Sequence, residues 1–130
     1  MELSEEEIEQ QNLKTFASSF VERWGSYSSD SNCENLISLK ILSTDAMKIE
    51  IDRLVSTGKC GAMDTVTGFY GVSTKALSSN IKNIDANSAV LRVMCQKKIE
   101  ENDDVRVVYE EVEVEMVKEA GKWLVDGISS

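Results

Sequence analysis

The change of hydrophobic period near the middle of the chain is the strongest constraint on its fold. Up to Gly58 the apolar residues recur at helical spacing, and from about residue 66 they alternate with polar ones. A period of 3.6 places a stripe on one face of a helix, whereas a period of two places it on one face of a strand. The sequence therefore predicts helices followed by a sheet, which is an α+β fold.

The first helix has a predicted start, an apolar face and a predicted stop. Ser4 and Glu7 match a capping box, in which each side chain satisfies an amide of the first helical turn. Residues 1–12 are a polar helical lead-in, and Gly25 is the expected helix end. The apolar stripe between them consists of Leu13, Phe16, Ala17, Phe20, Val21 and Trp24.

Two shorter helices are predicted after a polar turn at 26–32. The second helix is expected over 33–40. Ser43 or Thr44 can cap the third, because a hydroxyl oxygen accepts a hydrogen bond from an unpaired amide, and Gly58 is its expected stop. Its apolar stripe is Met47, Ile51, Leu54 and Val55. The first half of the chain is therefore predicted to hold three helices.

Four strands are predicted in the second half, over 66–84, 89–99, 105–118 and 122–128. The turns between them are DANS at 85–88, then EENDD and EAGK, all of hairpin length. Short connections join antiparallel neighbours. The three helices are therefore expected to pack on a four-stranded antiparallel sheet.

The third predicted strand changes its alternation near Glu110 and Glu111. Apolar residues occupy odd positions before this point and even positions after it: Val105, Val107 and Tyr109, then Val112, Val114 and Met116. One inserted residue would keep both halves facing the core, and a β-bulge is such an insertion. A bulge at Glu110–Glu111 and a strongly curved sheet are therefore predicted.

Length and charge limit the classes of protein. The 130 residues suit a single α+β domain spanning 1–130, and 42% hydrophobic residues are enough to form a core. A net charge of −9 repels phosphate backbones and anionic lipid headgroups, so nucleic acid is not an expected partner. No stretch is long and apolar enough to be a membrane span.

The three cysteines do not form a metal motif. Cys33, Cys60 and Cys95 include no CxxC pair, and the chain has no histidine to complete a zinc site. Cys95 lies in a predicted strand as a small buried hydrophobe. A Cys33–Cys60 disulfide is an option only if the domain lies outside the cytoplasm, and the redox state of these two residues is left open.

The absence of histidine also restricts the chemistry of the chain. It removes the most frequent general base near neutral pH, so acid–base chemistry would need Tyr27, Tyr70 or Tyr109 beside a carboxylate such as Asp126. An aspartate between aliphatic residues near a strand end is typical of a solvated or turn-capping residue. We therefore assign no catalytic residue and no cofactor, and the binding residues are left undefined.

Two further groups of residues have a structural and a functional interpretation. Glu111, Glu113 and Glu115 could bind a cation or a basic partner, or form the solvated face of the sheet. The cross-strand partners available in the second case are Lys97, Lys98 and Arg92, and no metal ligand is assigned. Trp24, Tyr27 and Phe69–Tyr70 could pack in the core or surround an opening.

The final predicted strand, GKWLVDG, carries a resemblance to a known superfamily. Gly121, Lys122, Trp123, the two aliphatic residues and Asp126–Gly127 follow a hairpin turn at the end of a helices-then-meander chain. In this the chain resembles the nuclear transport factor 2-like (cystatin-like, cone-shaped α+β) superfamily. The resemblance implies a sheet curved around a long helix, and it extends to extracytoplasmic domains of secretion and conjugation assembly proteins.

The resemblance leaves two classes of function open, since one fold can serve many functions. The favoured hypothesis is a non-enzymatic binding or assembly module, the soluble domain of a bacterial membrane-anchored envelope or secretion protein. The alternative is a small pocket enzyme of the isomerase or dehydratase type, or a small-ligand carrier, using tyrosines and carboxylates in the cone. A protein partner is expected in the first case, with a homodimer left open, and a small apolar ligand in the second.

Overall fold

The computed structural model describes residues 3–28, 33–56 and 70–129. Its helices are α1 (Glu5–Trp24), α2 (Glu34–Ser38) and α3 (Asp45–Ser56), with a 3₁₀ turn at Lys40–Leu42. Its strands are β1 (Tyr27–Ser28), β2 (Tyr70–Ile84), β3 (Ser88–Glu101), β4 (Asp104–Glu119) and β5 (Lys122–Ser129). Among these residues, none of the helices is sufficiently long and apolar to cross a bilayer.

The described strands form one antiparallel sheet in the order β1-β2-β3-β4-β5. The predicted helices and the four long strands are confirmed, but the prediction of four strands is wrong by one. The additional strand, β1, has only two residues, which is too short to show an alternation in the sequence. The predicted strand start at 66–69 and the helix stop at Gly58 lie outside the described residues.

Helix α1 begins with half of the predicted capping box. The Glu7 amide donates to Ser4 Oγ over 3.2 Å, which satisfies one free amide of the first turn. The Glu7 carboxylate accepts a hydrogen bond from the Ser4 hydroxyl over 3.1 Å, whereas the predicted capping box has this carboxylate accept one from a main-chain amide. The helix then buries one face, at most 2% exposed, formed by Leu13, Ala17, Phe20 and Val21.

The end of α1 is fixed against β2. Thr74 Oγ1 donates to the Gly25 carbonyl over 2.6 Å, and the Thr74 amide donates to Ser26 Oγ over 2.9 Å. The Ala76 amide donates to the Glu22 carboxylate over 2.9 Å. Gly25 has φ −95°, so it ends the helix without a left-handed conformation. Its lack of a side chain matters because a Cβ there would lie 2.9 Å from Thr74 Cβ.

The predicted bulge at Glu110–Glu111 is wrong. Glu110 pairs with Cys95 and Glu111 with Met94, without a break in register. The apolar residues before this point lie on the outer face of the sheet. Val105 is 56% exposed, Val107 48% and Tyr109 64%. The change of alternation therefore marks an apolar strip on the outer face and no inserted residue.

The strong curvature of the sheet is confirmed, but its bulges lie in other strands. The register between β2 and β3 shifts at Ala76/Ser78 and again at Ile81/Asn83. The register between β4 and β5 shifts at Glu115/Met116, which leaves Asp126 as the extra residue of β5. Bulges increase the local twist and bend a strand. The sheet accordingly curls into a half-barrel around α1.

The interior of this half-barrel is filled by side chains. The sheet contributes residues that are at most 5% exposed: Leu91, Val93, Cys95, Val112, Val114, Met116 and Val125. The same buried cluster includes Phe20 of α1, Ile51 of α3, and Leu39, which follows α2. Each of these three residues is 0% exposed. Among the described residues, close-packed apolar side chains thus cover the centre of the concave face.

The predicted hairpin turns are confirmed by their local chemistry. Asp85 accepts hydrogen bonds from the Ser88 hydroxyl and from the amides of Asn87 and Ser88, and these bonds lower the pKa of its carboxyl group. Ala120 and Gly121 have φ of 50° and 79°, the positive values that a two-residue hairpin turn requires.

The contact between α1 and β2 predicts a large effect of Gly25→Ala. The added methyl group would overlap Thr74 Oγ1 and Cβ, so we expect the free energy of unfolding to fall by about 1–3 kcal/mol. Gly127→Ala is the matched control, because its methyl group meets only the flexible end of Glu115 at 3.2 Å. Urea denaturation of both variants measures the difference, and equal stabilities would contradict the steric argument.

Candidate functional site

A groove lies beside the edge strand β5, and we call it the edge groove. It runs between the first half of α1, the 3₁₀ turn and the start of β5, and its volume is about 640 Å³. Its apolar lining is formed by Ile8, Leu13, Phe16, Ile41, Leu42, Trp123 and Leu124. Ligand sites in proteins commonly have this size and a largely apolar lining. The edge groove is therefore the first candidate for a binding site.

The second half of β5 is held by the residues that precede α3. Ser43 forms a parallel bridge with Val125, and the Thr44 amide donates to the Val125 carbonyl over 2.9 Å. Thr44 Oγ1 accepts the Met47 amide, which caps α3 as predicted, and donates to Asp126 Oδ1 over 2.8 Å. Asp126 thus helps to fix α3 on the sheet.

Trp123 forms part of the wall of the edge groove. The Lys118 ammonium lies 5.6 Å from the centre of its ring, within reach of a cation–π interaction, and 3.4 Å from Glu9 Oε2. The indole N–H is buried and has no acceptor among the residues that the structure describes. An unpaired buried donor is uncommon in folded proteins. One side of the ring is therefore well packed, while its polar group is unsatisfied.

A second polar group lies on the inner face of the sheet near β1. The rings of Tyr27 and Tyr70 stack with centres 6.4 Å apart, and Lys97 Nζ lies 2.7 Å from Glu110 Oε2. Burial raises the pKa of the Tyr27 hydroxyl, and Tyr70 and the negative charge of Glu110 raise it further. Tyr27 is therefore a neutral proton donor near neutral pH, and its phenolate is disfavoured.

The structure does not assemble the combination of tyrosines and Asp126 considered from the sequence. Tyr27 and Tyr70 lie on β1 and β2 at one edge of the sheet, whereas Asp126 lies on β5 at the other. Tyr109 lies on the outer face, 64% exposed, and accepts a hydrogen bond from Gln96. The carboxylate that acts on Tyr27 is Glu110, which the sequence pattern marked only as a bulge position.

The row of Glu111, Glu113 and Glu115 on β4 forms part of a charged outer face. Glu113 lies 2.9 Å from Lys82 and 3.3 Å from Arg92, and these hydrogen bonds lower the pKa of its carboxyl group. Arg92 also lies 3.7 Å from Glu111. Lys97 and Lys98, proposed as further partners, instead pair with Glu110 and Glu100. This part of the row therefore pairs with basic side chains across the sheet.

The cysteines and aromatic residues have different environments. Cys33 is disulfide-bonded, while Cys95 is a free thiol that is fully buried. Cys60 and Phe69 lie outside the described residues. Trp24 stacks on Phe20 with ring centres 6.3 Å apart and packs against the core, which favours the structural interpretation of this residue.

Comparison with known proteins identifies structural neighbours. No protein-family model matches the sequence, and no curated protein matches it significantly. One solved structure is CagV, a VirB8 homolog of the T4SS (type IV secretion system) from Helicobacter pylori strain 26695. The likeness has a TM-score of 0.64 at 15% identity and covers 90% of this chain and 94% of that one.

A second solved structure is an Ntf2-like protein involved in plasmid conjugation. Its TM-score is 0.57 at 14% identity, and the likeness covers 93% of this chain and 49% of that one. This chain therefore spans about half the length of that protein. Together the two likenesses show that the chain has the nuclear transport factor 2-like fold, as the GKWLVDG strand suggested, and that its structural neighbours include secretion and conjugation proteins.

The environment of Tyr27 predicts a delayed ionisation. A tyrosine ordinarily ionises near pH 10. Because the folded state raises the pKa of Tyr27, that state retains the proton longer than the unfolded chain, and the free energy of unfolding falls as the pH rises above about 10. Absorbance at 295 nm should show one tyrosine ionising late in the folded protein. Tyr27→Phe should remove this component and Tyr109→Phe should leave it; its persistence in Tyr27→Phe would refute the assignment.

Proposed function

We propose that residues 1–130 form one nuclear transport factor 2-like domain that acts as a non-enzymatic protein-binding module in the assembly of bacterial secretion or conjugation machinery. The observation that carries this proposal is the likeness to CagV, which extends over nine-tenths of both chains. The likeness to a plasmid conjugation protein supports the same setting. The partner is another protein of the assembly or a second copy of the chain.

The packing of the interior favours binding over catalysis. Enzymes and carriers of this fold would need space inside the cone, but here the centre of the sheet is covered by Phe20 and Leu39, both fully buried. Beside the Tyr27 hydroxyl, the Glu110 carboxylate is held in an ion pair with Lys97, whose Nζ lies 2.7 Å from it. Among the described residues, open surfaces lie on the outside of the sheet and at its edge.

The charge of the chain indicates the kind of partner. A net charge of −9 favours basic proteins and repels nucleic acid and anionic membranes. The outer face adds an exposed apolar strip of Val105, Val107 and Tyr109 to this charge. Exposed apolar residues beside charged ones are typical of protein interfaces.

The proposed location is outside the cytoplasm, on a chain that an N-terminal membrane segment anchors. The disulfide bond of Cys33 supports this location, because disulfides persist in oxidising compartments and are rare in the cytosol. The likeness to a secretion-system protein is consistent with it.

Deletion of the gene in its native host tests the assembly function. We expect the transfer of DNA or the export of protein by the associated system to fall at least tenfold, and a plasmid copy to restore it. A copy with Tyr27→Phe should restore it equally, because a binding module does not need this hydroxyl. Normal transfer after deletion would refute the proposal, and loss of function in folded Tyr27→Phe would favour the pocket enzyme.

Thiol labelling in the native host tests the location. Denatured, unreduced protein should take up one maleimide, at Cys95, and reduced protein should take up three. Cys33→Ser should expose one additional thiol without reduction. Three free thiols before reduction would place the domain in a reducing compartment and contradict the proposal.

A further inference from the structure

The main-chain groups of Trp123 point away from the sheet toward the edge groove. In an antiparallel sheet, the main-chain N–H and C=O groups of successive residues point alternately to one side of the strand and to the other. The Val125 carbonyl bonds to Thr44, on the side away from β4, so Trp123, two residues earlier, presents its N–H and C=O on that side too. The Lys118 amide, opposite Trp123, bonds to Asn87 on the side away from β5, which agrees with this direction.

The chain itself covers only part of this edge. Ser43 and Thr44 pair with Val125, but the preceding residues turn away as a 3₁₀ helix, and Ile41 is 82% exposed. In the described part of the chain, the main-chain groups of Trp123 have no hydrogen-bond partner. An uncovered strand edge accepts an added strand, which gains main-chain hydrogen bonds and side-chain pockets.

The charges around the edge groove differ between its two sides. Glu5 and Glu9 line it on the α1 side, and Glu5 makes no ion pair with another described residue. Lys122 lines it on the β5 side, where Glu119 lies directly opposite across the strand pair. Neither Glu5 nor Lys122 forms an ion pair with another described residue, so the groove has a negative side along α1, which a basic side chain complements, and a positive end at Lys122.

We propose that the edge groove binds an extended, basic segment of a partner protein. This segment pairs with the main chain of Trp123, buries an apolar side chain against Phe16 and Leu124, and places a lysine or arginine beside Glu5. The inference rests on the proposed function, since it assigns a site and a chemical class to the protein partner. The apolar lining supplies contact area, and the free main-chain groups supply direction.

Peptide titration followed by NMR tests the proposal. The probe is acetyl-Lys-Val-Lys-Val-Lys-Val-amide, compared with the same peptide carrying glutamate for lysine and with a form N-methylated at each valine. The basic peptide should shift the indole and amide signals of Trp123 and bind at least tenfold more tightly than either other peptide. The Trp24 indole, which stacks on Phe20 in the core, serves as the internal control.

Two pairs of variants locate the site. Glu5→Gln should weaken binding of the basic peptide at least threefold, whereas Glu6→Gln, outside the groove, should not change it. Ile8→Lys should remove an apolar contact, repel the basic peptide and abolish binding, whereas Ile49→Lys, at a residue 70% exposed on α3, should bind normally. Both isoleucines are exposed, so these variants are expected to fold, and circular dichroism checks this.

Each outcome supports or overturns the proposal. Equal binding of the acidic peptide, shifts outside the groove, or no binding at millimolar peptide would overturn it. Concentration-dependent shifts of Trp123 without peptide would show that a second copy occupies the groove, and would also overturn it. In the native host, an active Ile8→Lys copy in a strain that needs the gene would refute only the proposed role of the groove. A dispensable gene with intact peptide binding would refute only the assembly function.

Discussion

The contact between Gly25 and Thr74 determines how the helical and sheet layers meet. Thr74 approaches the end of α1 closely enough to donate to the Gly25 carbonyl, and no side chain could lie between them. The main-chain amides of Thr74 and Ala76 donate to the side chains of Ser26 and Glu22, respectively. The last turn of the helix is therefore hydrogen-bonded to β2. With this end fixed, Phe20 and Ala17 lie over the concave face, where both are fully buried.

The fold was predictable wherever local physics decides the structure. The α1 stripe, the Thr44 cap and the two-residue turn at Ala120–Gly121 each follow from residues close together in the chain. The bulges were not predictable in this way, because a register shift depends on the partner strand. At Val105 the alternation was interpreted as a core-facing half of the strand, whereas the pairing continues in register and Val105 lies on the outer face.

The candidate site was not predictable, because it combines segments that are distant in sequence. Ile8 is a single apolar residue in an acidic lead-in, Leu42 follows a short helix, and Trp123 lies near the C-terminus. The Lys97–Glu110 pair was missed for a similar reason. Lys97 follows a core position of β3, and Glu110 precedes a core position of β4. Only the observed register brings their charged groups to 2.7 Å.

In the described part of the chain, apolar side chains cover the centre of the concave face, and the edge groove lies at the boundary of the sheet. Uncontrolled pairing at an exposed strand edge leads to aggregation, and proteins limit it by covering or shortening the free edge. Here Ser43 and Thr44 cover β5 at Val125, and Asp126 secures them through the Thr44 hydroxyl. What remains open at Trp123 is short and flanked by a carboxylate-bearing helix. Under the proposed binding mode, an edge of this length would select a partner by its side chains, since main-chain pairing alone offers few bonds, and such selectivity would suit an assembly module.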